Sequence, residues 1–131
     1  MVQIIAAAAA FSLLHDINTE RMTHGLRPLV LDARLASAAA EHALDMARRR
    51  YFAHESPTGD SPFDRMRAAG CSFSSAAENI ALAPDVQQAD SLLFQSVPHR
   101  ENTLSPSYSR VGIGVATDAD GNEYFVEDFS N

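Results

Sequence analysis

Three side chains that lie far apart in this 131-residue sequence have the chemistry of a metal or acid–base site. His54 and His99 each fall in a predicted loop or at a predicted helix end, and Glu78 lies between them in a Glu-Asn-Ile segment. Their spacing excludes a local zinc motif, which needs two histidines four residues apart on one helix. If tertiary structure brings them together, two imidazoles and one carboxylate form an open zinc site with water in the fourth position.

The other histidines and the lone cysteine favour structural roles. His42 lies on the apolar face of a predicted helix and is interpreted as a hydrogen-bonded core residue. His15 and His24 flank the first predicted helix and are interpreted as surface residues. Cys71 is the only cysteine, which excludes an intrachain disulfide, and it is interpreted as a small buried residue.

The charge balance excludes several classes of protein. The net charge is −7, and all ten basic residues are arginines. Phosphate backbones and anionic membrane surfaces repel such a chain, so we expect no nucleic-acid partner. A nucleotide-binding P-loop needs a lysine, and the sequence has none. The Gly-x-Ser-x-Gly elbow of α/β-hydrolases is missing as well.

The spacing of apolar residues predicts a helical first half. The first helix is predicted over residues 6–22 and the second over residues 32–50, with Asp32 as its N-cap. Pro62 is predicted to begin a short third helix, and Pro84 a fourth one that runs to about Gln95 and is ended by Pro98. The predicted apolar faces comprise Phe11, Leu14, Asn18 and Met22 in the first helix, and Leu35, Ala39, His42 and Met46 in the second.

The end of the chain changes to the alternation of β-strands. Residues 110–116 alternate branched side chains with glycine, residues 118–122 form a turn, and residues 124–129 continue as a second strand. Helices followed by a hairpin indicate an α+β protein. The length predicts a single domain over residues 1–131.

The first 14 residues are apolar and rich in alanine. They are too few to cross a bilayer, which takes about 20 residues, so no transmembrane segment is predicted. Residues 1–10 are interpreted either as the remnant of a signal peptide or as an extension of the first helix. The absence of a basic start and the helix propensity of alanine favour the extension.

Short segments that are unspecific singly follow one another in a characteristic order. They are NTER (18–21), GLRPL (25–29), DMA (45–47), YFAH (51–54), SPTG (56–59), AENIA (77–81), HREN (99–102), VGIG (111–114) and DF (128–129). Together they resemble the CAP superfamily, also called the SCP or pathogenesis-related class 1 domain, in its cysteine-poor bacterial branch. The resemblance extends from about Leu13 to Phe129.

The resemblance implies a three-layer α-β-α sandwich around a small antiparallel sheet, with a cleft where two histidines and two glutamates meet. His54 matches the first histidine, Glu78 the first glutamate and His99 the second histidine. The second glutamate falls within residues 93–98, where this chain has no carboxylate. The residues expected to line or brace the cleft are Asn79, Ser96 and Asn102.

Three functions follow from these residues and the resemblance. The leading hypothesis is a non-catalytic binding module, secreted or held in the periplasm or cell envelope. Its cleft takes a divalent metal, Zn²⁺, through His54, His99 and, as a ligand or an orienting group, Glu78. Its partner is an unknown small ligand, a lipid or a cell-envelope component. The alternatives are a metal-assisted hydrolase of peptides or cell-wall material with Glu78 as acid or base, and a lipid or sterol carrier with a groove near Leu92, Leu93 and Phe94.

Overall fold

A computed structural model describes the backbone of residues 2–131 and the side chains of residues 6–131. In that part of the chain five helices and four strands form, and residues 2–10 lie within the first helix, whereas Met1 lies outside the described residues. The elements are α1 (Val2–Thr23), β1 (Val30–Leu31), α2 (Ala33–Arg49), α3 (Pro62–Ala68), β2 (Ala76–Ala83), α4 (Val86–Gln95), α5 (Val97–Thr103), β3 (Arg110–Thr117) and β4 (Glu123–Ser130). None of the described helices is both long and apolar enough to cross a membrane.

The four strands form one sheet in the order β1-β3-β4-β2. Strands β3 and β4 are the predicted hairpin, β2 pairs antiparallel with β4, and the two-residue β1 pairs parallel with β3. Strand β2 was not predicted, because its sequence AAENIALA carries a single β-branched residue. It forms because β4 supplies its hydrogen-bond partners along all eight residues.

Helices cover both faces of the sheet, which confirms the predicted α+β sandwich. On one face, α1 and α4 pack Leu13, Ile17 and Leu93 against apolar side chains of β3 and β4. On the other face, α2 packs Ala39, Ala43 and Met46 against β2 and β4. Alternation along each strand therefore sends neighbouring residues into two different layers.

Glycine in β3 lets α2 approach the sheet closely. A Cβ atom at Gly112 would lie 2.0 Å from the backbone nitrogen of Ala36, and one at Gly114 would lie 2.3 Å from the carbonyl carbon of Ala39. Because both neighbouring atoms belong to the helix backbone, no side-chain rotation could relieve these clashes. The small residues on the two elements therefore fix the position of α2.

The buried face of α1 differs from the prediction. Leu13 and Ile17 are buried in the core, whereas Phe11 and Met22 are exposed, so the predicted apolar face was wrong at these two positions. The buried stripe continues to Arg21, whose guanidinium donates to the carbonyls of residues 27, 103, 105 and 108. A charged residue thus occupies a core position, where carbonyls of the fold satisfy its N–H groups.

The prediction for Pro98 was also wrong. Helix α4 ends at Gln95, as predicted, but Pro98 lies in the first turn of a further helix, α5, rather than ending α4. Proline is compatible with this position because the first residues of a helix need no N–H donor. His99 therefore lies in the first turn of α5.

Candidate functional site

The edge strand β2 carries Glu78 and Asn79 as neighbours, and their side chains enter opposite layers. Glu78 contacts Arg65 of α3 and His54 of the preceding loop. Asn79 contacts the backbone of α5 at His99. Two consecutive residues of one strand therefore hold the two histidines that the sequence singled out, one from each side of the sheet.

Glu78 is held as a buried carboxylate. Nη2 of Arg65 donates to both of its oxygens, at 3.1 and 3.0 Å, and Nδ1 of His54 lies 3.0 Å from Oε1. Burial alone would raise the pKa of Glu78. The hydrogen bonds from His54 and Asp128 and the charge of Arg65 outweigh burial, so the pKa is lowered.

This contact determines which nitrogen His54 presents to its surroundings. A carboxylate only accepts hydrogen bonds, so the proton of the neutral imidazole lies on Nδ1 and Nε2 is left with a free lone pair. The side chain of His54 is 50% exposed, whereas that of Glu78 is 1% exposed. Glu78 thus orients His54 from the buried side of the ring. Carboxylates orient metal-binding histidines in the same way.

Asp128 faces Glu78 across the β2–β4 pair. Neither Asp128 oxygen meets an N–H or hydroxyl donor in the described part of the chain. Burial, followed by the charge of Glu78, raises the pKa of Asp128 well above its usual value. This shift favours the protonated form of Asp128 beside the Glu78 carboxylate.

The second histidine is held through its backbone. Nδ2 of Asn79 donates to the carbonyl of His99 at 3.0 Å, and Nδ2 of Asn102 donates to Oδ1 of Asn79 at 2.9 Å. Nδ2 of Asn79 also donates to Oε1 of Glu127 in β4 at 3.2 Å. This network of buried amides ties the first turn of α5 to the sheet.

The imidazole of His99 has an unsatisfied polar atom. Its Nδ1 is buried and has no hydrogen-bond partner among the described residues. Burial, and then the positive charge that His54 can carry, lowers the pKa of His99. His99 is therefore a neutral imidazole, and His54 is near enough to influence it electrostatically.

The structure places the remaining predicted site residues as follows. Asn79 and Asn102 brace α5, whereas Ser96 lies at the junction of α4 and α5 and its side chain makes no capping hydrogen bond. Among the residues with described side chains, no three His, Cys, Asp or Glu residues are grouped so that they could hold a metal ion. Any metal bound here would need ligands beyond the two histidines.

The sequence patterns assigned no part in the site to Arg65 and His42, although both residues shape it. Arg65 lies in α3, and no spacing rule connects it to Glu78. His42 is a buried, hydrogen-bonded core residue, as predicted, and its Nε2 donates to the carbonyl of Ala53 at 2.8 Å. It therefore anchors the residue before His54, and its Nε2 lies 3.9 Å from Glu78 Oε1.

A cleft of about 380 Å³ opens beside this cluster, between α2, α3 and the loop that joins them. Its walls include His42 and Arg65, both of which contact Glu78, whereas His54, Glu78 and His99 do not line it. Leu93 of the predicted lipid groove lies instead in the core, with Phe94 packed against it, whereas Leu92 is exposed.

Comparison with known proteins identifies the family. Residues 14–129 match the family model described as "CAP: Cysteine-rich secretory protein family". The chain belongs to the CAP family, in agreement with its α-β-α layers.

Similar proteins share the fold, and some extend well beyond it. YkwD, an uncharacterized protein of Bacillus subtilis, is 39% identical over 98 residues, which are 74% of this chain and 38% of YkwD. An extracellular protein containing a SCP domain from Bacillus anthracis has a TM-score of 0.91 at 28% identity, over 99% of this chain and 42% of that one. An outer surface protein from Borrelia burgdorferi has a TM-score of 0.88 at 22% identity, over 95% of this chain and 92% of that one. This chain thus spans less than half the length of YkwD and of the B. anthracis protein.

Proposed function

We propose that this CAP domain is a non-catalytic binding module that holds a divalent metal, Zn²⁺, through the imidazoles of His54 and His99. One observation carries the proposal: Glu78 leaves Nε2 of His54 with a free lone pair, while Nδ1 of His99 is buried without a partner among the described residues. An unpaired buried polar atom costs free energy, and a metal ion would satisfy it. Neutral imidazole is the form that binds metals.

The donor set suits zinc but is incomplete. Imidazole nitrogen is a common zinc ligand, and four-coordinate zinc takes four donors. Glu78 is not available as a third donor, because both of its oxygens are bound by Arg65 and its side chain is buried. The remaining positions would go to water or to a donor atom of a ligand. We therefore expect the metal and a small ligand or cell-envelope component to bind together.

The geometry favours binding over hydrolysis. A metal-assisted hydrolase needs a group that takes a proton from the attacking water. Glu78 was the candidate, but its lowered pKa and its pairing with Arg65 make it a weak base. Residues 93–98, where the family's second glutamate would fall, contain no carboxylate.

We further propose that the domain works outside the cell or in its envelope. The similar B. anthracis protein is described as extracellular, and the similar B. burgdorferi protein as an outer surface protein.

A zinc titration tests the metal site. Metal-free protein would be titrated while the imidazole NMR signals of all five histidines are followed. We expect the signals of His54 and His99 to shift together, with the transition complete at about one equivalent of zinc. His54→Ala should lower the zinc affinity by about tenfold or more, since it removes one of two imidazole ligands. His24→Ala, which removes an exposed imidazole, is the matched control and should leave the affinity unchanged. Equal zinc affinity in the wild type and in His54→Ala would contradict the proposal.

A further inference from the structure

Arg65 makes contacts beyond what a surface ion pair requires. Its side chain is 12% exposed, and Nη2 donates to both oxygens of Glu78 while Nη1 donates to the carbonyl of Asp60 at 3.0 Å. The guanidinium thereby connects α3, the end of the loop after His54, and the edge strand β2. One nitrogen, Nη2, bridges both oxygens of the carboxylate, and the bond from Nη1 to Asp60 fixes the rigid guanidinium plane that places Nη2 there.

We propose that Arg65 is a positioning residue that holds Glu78 in the orientation that keeps the proton of His54 on Nδ1. The chain of contacts is short: Arg65 holds the carboxylate, and Oε1 of that carboxylate lies 3.0 Å from Nδ1 of His54. His42 assists from the other side, because its hydrogen bond to Ala53 fixes the backbone next to His54. The inference depends on the proposed function only for the metal-binding role of the free Nε2 of His54.

Without Arg65, two things would change. The Glu78 carboxylate would lose both of its arginine hydrogen bonds and could rotate within its buried position. The Nδ1–H tautomer of His54 would lose its fixed acceptor, and both tautomers of the imidazole would become populated. The tautomer of His54 is therefore a direct readout of Arg65, and it needs no metal.

The experiment measures tautomers in metal-free, ¹⁵N-histidine-labelled protein by long-range ¹H–¹⁵N correlation, at pH 8. In the wild type, His54 should appear as a single form with the proton on Nδ1. Arg65→Met should give a mixture of the two tautomers. Arg65→Lys should give an intermediate result, because it keeps the charge without the rigid guanidinium plane that Nη1 ties to Asp60. Arg67→Met is the matched control on the same helix, since Arg67 lies over the ring of Phe73.

The outcomes separate this inference from the metal proposal. A single Nδ1–H form of His54 in folded Arg65→Met would overturn the inference, and so would an Nε2–H form in the wild type. If Arg65→Met does not fold, Arg65→Lys carries the test by the same criterion. Zinc affinity is then measured in the same variants, where loss of an orienting partner is expected to cost about tenfold or more. Arg65→Met could show a mixture of tautomers while the histidine signals of the wild type do not respond to zinc. That result would support the role of Arg65 and contradict only the metal site.

Discussion

Glu127 offers a quantitative test of the packing between the sheet and the layer that holds His99. Its side chain projects from β4 and is fully buried, and its described hydrogen bond comes from Nδ2 of Asn79. Burial is the largest effect and raises the pKa of Glu127 from 4.5 to about 7, while the bond from Asn79 lowers it and the charge of Asp90 raises it. Glu127→Gln removes the ionisable group but keeps an oxygen that can accept from Asn79.

The expected magnitude follows from the pKa difference. The folded state prefers protonated Glu127, so the wild type loses stability as the pH rises from the unfolded-state pKa of 4.5 to the folded-state pKa of about 7. Each pKa unit corresponds to about 1.4 kcal/mol, so the free energy of unfolding should fall by about 3 kcal/mol over this range. Above the folded-state pKa, the contribution from Glu127 becomes constant. The Glu127→Gln variant lacks this contribution.

Urea denaturation of both proteins between pH 4 and pH 9 measures the effect. The stability of Glu127→Gln relative to the wild type should increase by about 3 kcal/mol across the window and then level off. Glu41→Gln, on the exposed side of α2, controls for the loss of one negative charge. A difference between wild type and Glu127→Gln that stays constant from pH 4 to pH 9 would refute the argument that burial keeps Glu127 protonated.

Two further substitutions test how the layers are held together. Gly114→Ala should destabilise the fold by about 3 kcal/mol, because the new Cβ would meet the backbone of Ala39. Thermal unfolding measures this loss. An unchanged melting temperature would show that α2 can move away from the sheet. Arg21→Met should cost about 4 kcal/mol in urea denaturation, because it leaves buried carbonyls without their donor. Arg27→Met, which removes an exposed arginine, is its control, and equal losses in the two variants would contradict the structural role of Arg21.

Local signals were reliable where a residue acts through its own backbone. Asp32 caps α2 as predicted, because its side chain accepts from the N–H groups of residues 34 and 35. Ser61 and Pro62 begin α3, and the turn of residues 118–122 joins two strands with the predicted alternation. These features depend on φ/ψ preferences and on hydrogen bonds within a few residues, so the sequence contains their causes.

The sequence predicted less well the features that depend on residues far along the chain. Strand β2 is poor in β-branched residues, and its pairing with β4 comes from a segment about fifty residues away. The buried face of α1 includes Arg21, which is satisfied by carbonyls more than eighty residues along the chain. Neither partner can be identified from the residues that surround these positions.

The candidate site shows the same division between features with local causes and features that depend on distant residues. The sequence by itself singled out His54, Glu78 and His99, because their residue types and their resemblance to the CAP family are local properties. Only the tertiary structure shows that Arg65 binds Glu78 and that Asn79 binds the backbone of His99. These two contacts lie on opposite faces of one edge strand. The physical reason is that a buried charge or amide must find its partner wherever the fold brings one. Residue type therefore determined which groups could act here, and packing determined which of them orient the others.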